Sequence, residues 1–234
     1  MVASDSERSA TRMNEQPTRR WLTTWIAVVT AGEAAGFAVP AAVGVLTRDS
    51  ASAFPLLLAA GAAEGAILGI SQAAVLHRRL PQLSRRRWVA LTAAAATAAY
   101  AIGLLPSALA ARWTSWPLIA QVLFFGAGAV VLLTSIGLAQ WLELRRHLSG
   151  ATWWILGTAL GWLVGLAVFF AVAPPFWHPG QPPALVVAIG LVAGVGMALA
   201  MAAVTGATMS VLLRRQTPSV PRVAQSSESR RGRP

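Results

Sequence analysis

The chain of 234 residues contains no cysteine and no lysine. Without cysteine there can be no disulfide, no thiolate metal ligand and no cysteine nucleophile. Without lysine there can be no Schiff base and no Walker loop, whose lysine reaches the phosphates. Charge is also scarce: Asp, Glu, Lys and Arg make up 12% of the residues, against about 25% in an average soluble domain. Such a chain cannot cover a water-facing surface, which excludes a soluble globular enzyme. The motifs H-E-x-x-H and G-x-S-x-G are missing, as is any nucleotide-binding loop. No catalytic residue, cofactor or metal site is therefore expected. His178 stands without neighbouring ligands in a Pro-rich turn, and His77 and His147, beside arginines, are expected to be solvated.

What the chain does contain is apolar: 56% hydrophobic residues and a mean hydropathy of +0.59. A helix crossing about 30 Å of hydrocarbon needs about 20 mostly apolar residues. Six stretches qualify: Trp21–Val45, Phe54–Leu76, Trp88–Ala108, Trp116–Leu142, Trp153–Val172 and Ala184–Leu213. None shows the dyad alternation of barrel strands. The fold class is thus all-α, a polytopic membrane bundle of six transmembrane helices. The first span is longer than a signal-peptide core and is read as a retained helix. Residues 1–20 and 216–234, rich in Ser, Arg and Pro, are expected to be disordered tails.

All 19 basic residues are arginine, and 17 of them fall in the two tails and in the loops after the second and fourth spans. Only Arg48 and Arg112 fall on the opposite side. Positive-inside bias then places both termini in the cytoplasm, in a cell membrane. The formal net charge of +11 is thereby a topology signal with some attraction for anionic lipid, and nucleic acid is not an expected partner.

Nine of the ten tryptophans fall near span ends, as in an aromatic belt at the headgroup level. Trp21, Trp25, Trp88, Trp141, Trp153 and Trp154 group at the arginine-rich end, and Trp113, Trp116 and Trp177 at the other. Trp162 alone sits in mid-span. Small residues recur four apart, as in Gly32/Gly36, Gly61/Gly65/Gly69, Gly157/Gly161/Gly165 and Gly190/Gly194. In lipid this spacing lets helix backbones approach closely.

The even spans end alike. Gly69–Leu80 reads G-I-S-Q-A-A-V-L-H-R-R-L and Gly137–Leu148 reads G-L-A-Q-W-L-E-L-R-R-H-L. The sixth span ends G-A-T-M-S-V-L-L-R-R, with Met209 where the others have Gln72 and Gln140. The first and fifth spans share W-I and two glycines, at Trp25–Gly36 and Trp154–Gly165. This pattern predicts three repeated helical hairpins of one orientation, 21–80, 88–148 and 153–215. The strings at Gly137–Arg146 and Trp153–Trp162 resemble a group of bacterial multispan membrane proteins. Those proteins repeat a "WVLATALGW" helix and a "GxxQWLVLRR" helix end. The resemblance extends over most of 21–215 and implies an architecture rather than an activity. The first hairpin departs from it with Ala73 in place of Trp141.

Two acids lie deep in the spans, Glu33 and Glu64, each 12 residues from its arginine-rich end. At 1.5 Å per residue both stand about 18 Å deep, near mid-membrane. A charge there costs about 2.5–3.5 kcal/mol on insertion scales. They form a candidate intramembrane proton or cation site; the alternative is a pair of neutral acids bonded across helices as packing glue. Gln72 and Gln140 are candidate polar interhelix contacts. The leading expectation is a non-enzymatic membrane component that packs with or regulates another membrane protein or lipid, with a homo-oligomer also open. The second is a small proton- or cation-coupled transporter or channel that uses Glu33 and Glu64.

Overall fold

The computed structural model describes residues 3–47 and 50–216, with side chains from Arg19 onward. The expected tail after residue 216, and Arg48, lie outside the described residues. Seven helices are present among the described residues: α1 (Ala3–Leu46), α2 (Ala53–Leu76), α3 (Arg85–Ala108), α4 (Ala110–Trp113), α5 (Leu118–Leu144), α6 (Trp153–Phe176) and α7 (Pro183–Arg214). All but the one-turn α4 are long and apolar enough to cross a membrane, and the chain is a multi-pass membrane protein.

Residues 3–20, expected to be disordered, continue α1 toward its N-terminus. Ala, Arg, Met, Glu and Gln in this stretch are good helix formers. Extending an existing helix also avoids the cost of nucleating one. At the other end of α6 the helix runs to Phe176, through Pro174 and Pro175. The turn that follows is held by Gln181, whose Nε2 donates to the Phe176 carbonyl at 2.8 Å while its Oε1 accepts from the His178 amide at 3.0 Å. Gly180 takes φ +82°, where a side chain would be strained.

The spans close into a ring in the order α1, α2, α3, α5, α6, α7 and back to α1. Consecutive spans are antiparallel neighbours, and α1 against α7 shuts the ring. Glycine makes the close approaches possible. A Cβ built on Gly65 would stand 2.9 Å from the Ala93 Cα and from the Thr92 carbonyl oxygen. At Gly69 it would meet the Val89 Cα at 3.0 Å, and at Gly137 the Ile155 Cα at 3.0 Å. On Gly206 it would meet Trp25 and Leu22. Gly69, Gly137 and Gly206 therefore each face the opening turns of the next odd-numbered span in the ring. In lipid, where apolar surface alone gives little drive for association, this van der Waals packing is the main cohesive term.

The buried stripe of α1 reads Trp21, Trp25, Val29, Glu33, Gly36 and Pro40, spaced three or four apart. It presents one face to the interior of the ring. By contrast α5 is buried only near its C-terminal end, at Ile136, Gly137, Gln140, Glu143 and Leu144. Its N-terminal half carries exposed Leu118, Ile119, Val122, Leu123, Val130 and Val131. A Cβ on Gly126 would touch nothing within 4 Å.

Candidate functional site

At the arginine-rich end the interior of the ring is filled by indoles. Trp25, Trp88 and Trp154 have no exposed surface. Trp154 lies 6.1 Å from Trp88 and 6.2 Å from Trp25, ring centre to ring centre, and Trp25 stacks on Trp21 at 5.4 Å. This corrects the aromatic-belt expectation for these residues. Distance along a span sets depth but not which face of the helix turns inward. Trp153, one residue from Trp154, is exposed and keeps a belt position.

Gln72 and Gln140 are brought together in this layer. Gln140 Nε2 donates to Gln72 Oε1 at 2.7 Å and to Thr92 Oγ1 at 2.9 Å. The indole N–H of Trp88 donates to Gln72 Oε1 at 3.2 Å, and that of Trp154 to Gln140 Oε1 at 2.9 Å. Trp25 donates to Thr205 Oγ1 of α7 at 3.3 Å. Trp25, Trp88 and Trp154 thus each use their one donor on the preceding even span of the ring. Thr158 stands four residues after Trp154, as Thr92 does after Trp88. Its Oγ1 has no partner, and the buried Met209 occupies the sequence place that would supply a glutamine amide.

Toward the arginine-poor end the interior opens into a cavity of about 330 Å³, open on part of its boundary. Its wall takes residues from every span, including Phe37, Leu68, Ala96, Leu132, Ile136, Leu166 and Met197. The polar wall groups are Glu64, Tyr100 and Trp162. The Tyr100 hydroxyl donates to Glu64 Oε2 at 2.5 Å. The indole nitrogen of Trp162 is buried without a partner.

The two candidate acids are placed differently. Glu64 belongs to the cavity wall, next to Gly65, and Gly36 of α1 packs against its backbone. Glu33 is fully buried on the inward stripe of α1, outside the cavity wall, and neither carboxyl oxygen has a hydrogen-bond partner. It is close enough to Glu64 for the two to interact electrostatically.

A third buried acid was missed by the sequence reading. Glu143, at the end of α5, accepts the Ser84 amide at 3.0 Å, lies 3.2 Å from Arg87 Nε and 3.1 Å from His147 Nε2. It ties the start of α3 to the end of α5. This also corrects His147, which is engaged rather than solvated. The available signal was an acid four residues before a histidine at the end of a span. Among the described residues no group of three or more His, Cys, Asp or Glu is placed to hold a metal ion.

Comparison with protein-family models, curated proteins and solved structures gave no match.

Proposed function

We propose that this membrane protein is a non-enzymatic component that accommodates a lipid or another bilayer-soluble molecule within its ring of helices. The supporting observation is the intramembrane cavity of about 330 Å³, whose wall is hydrocarbon apart from one carboxyl–phenol pair and one indole. Ligand sites are concave, mostly apolar and about 300–1,000 Å³, with a few placed polar groups. In this reading the protein sits in a cell membrane with both termini cytoplasmic, and its hairpins descend from one duplicated unit, as the resemblance to bacterial multispan proteins suggests. The matched settings of Trp88 with Gln72 and of Trp154 with Gln140 support that duplication.

The test is native mass spectrometry of the full chain released from lipid nanodiscs. Wild type should retain a bound small molecule or lipid. Ala99→Trp, which fills the cavity, should release it while the thermal midpoint is kept. Equal retention by both proteins would place the bound lipid elsewhere and defeat the reading.

A second reading is favoured by the buried carboxyl of Glu33, which lacks any hydrogen-bond partner. A buried ionisable group inside a membrane is by default a functional hypothesis, and a proton or cation relay through Glu33 and Glu64 is that hypothesis. Liposomes loaded with a pH-sensitive dye under an imposed potential test it. Flux that vanishes in Glu33→Gln would support transport; no flux above empty liposomes would exclude proton transport.

A further inference from the structure

We propose that the cavity selects amphiphilic amines: apolar molecules that carry one protonated nitrogen. This rests on the cavity reading above and names the chemistry of its ligand. Selection follows from the hydrogen-bonding capacity that remains free in the wall. The Tyr100 hydroxyl spends its one donor on Glu64 Oε2. Beside an entering cation Glu64 is held as the carboxylate, which is acceptor-only, and a phenol oxygen keeps acceptor capacity after donating. What the pair offers to a ligand is therefore acceptors. The Trp162 donor is buried away from contact with open space, so it does not alter that balance. A complementary ligand brings a donor.

Charge makes the donor cationic. Among the described residues the ion pairs of acids on α2 to α7 involve Glu143 alone, far from the cavity at the arginine-rich end. Glu64 has the Tyr100 hydroxyl and no arginine against it. Behind it stands Glu33, a second acid with no hydrogen-bond partner. The other residues of the cavity wall, among them Phe37, Leu68, Ala96, Ala99 and Trp162, bring no formal charge. An ammonium entering this site gains a charge-assisted hydrogen bond, stronger than a neutral one and shorter. Phe37, Tyr100 and Trp162 in the same wall make it aromatic, and aromatic rings attract a cation placed over them. The rest of the wall accepts only an apolar body, so a strongly hydrated polar cation does not fit.

The experiment is saturation binding to the full chain in nanodiscs, with empty discs as the blank. The probes are radiolabelled N,N-dimethyl-naphthylmethylamine, which is cationic at neutral pH, and its uncharged carbon isostere. The amine should bind wild type at least tenfold more tightly than the isostere. Glu64→Gln should bring the two to the same affinity. Tyr100→Phe should weaken the amine while leaving the isostere unchanged. Equal affinity of both probes for wild type, above the blank and abolished by Ala99→Trp, would overturn amine selection and leave the cavity reading standing. No binding of either probe above the blank would overturn both. The comparison of probes on wild type decides the point even if a variant fails to fold.

Discussion

Gln140 is the residue on which the interior of the arginine-rich end turns. Its amide nitrogen reaches Gln72 and Thr92, and its oxygen serves Trp154. Gln140→Leu removes all three bonds and leaves the buried Trp154 donor without an acceptor. Stranding a buried donor costs about 1–3 kcal/mol. The thermal midpoint of the purified protein should fall, and an unchanged midpoint would show that the network contributes little. Met209 supplies the opposite experiment. It is fully buried at the place where the other even spans carry glutamine, and Thr158 nearby in the same hairpin lacks a partner. Met209→Gln should be tolerated and should stabilise by about 0.6 kcal/mol, the average for a side-chain hydrogen bond in a membrane protein. A fall in thermal midpoint would mean that the third hairpin has repacked around methionine and cannot accept the amide.

At the scale of the element, Gly65 of α2 and Gly126 of α5 have opposite surroundings. Gly65 lies against the backbone of α3, whereas Gly126 has nothing near it. Gly65→Ala places its Cβ 2.9 Å from main-chain atoms that cannot rotate away. Overpacking of this kind costs about 1–3 kcal/mol. Gly126→Ala should be neutral or slightly stabilising, since alanine gains about 1 kcal/mol over glycine in helix propensity. Thermal melts of the two variants in one detergent separate the cases. Similar midpoints would mean that α2 and α3 are not held at the separation described. The same contrast explains why small-residue spacing was informative for α2 and α6 but silent for α5. Gly126 and Gly128 are two apart and do not build one close-packed face.

For the whole molecule, the distribution of arginine predicts sidedness. The chain has no cysteine, so single Cys labelling is clean. Ser115, in the connection before α5, and Ser149, in the connection before α6, are exposed at opposite ends of the bundle. In intact cells Ser115→Cys should react with an impermeant maleimide, and Ser149→Cys should react only after the membrane is opened. Reversed labelling would overturn the positive-inside assignment. The closed ring gives this topology its physical sense: hairpins joined at the arginine-rich end leave the cavity on the other half of the membrane, toward the side with Arg112.

Sequence alone determined the elements of this protein. Length and apolarity of a span are local properties, set by the thickness of hydrocarbon, and the six spans were legible within a few residues. The acids Glu33 and Glu64 were legible for the same reason, because an ionisable residue inside an apolar run stands out. Only the tertiary structure decided which face of each helix points inward. That choice separates buried Trp154 from exposed Trp153, one residue away. It joins Gln72 to Gln140 across the ring, and it gives Glu64 the Tyr100 hydroxyl from α3 while leaving Glu33 with none. A water-soluble helix advertises its inward face by a polar stripe opposite an apolar one. These spans carry no such contrast, because lipid and protein interior are equally apolar. With both sides of a helix alike in composition, rotation about its axis is set by the fit of glycines and indoles against neighbouring spans, and that fit exists only once the ring is closed.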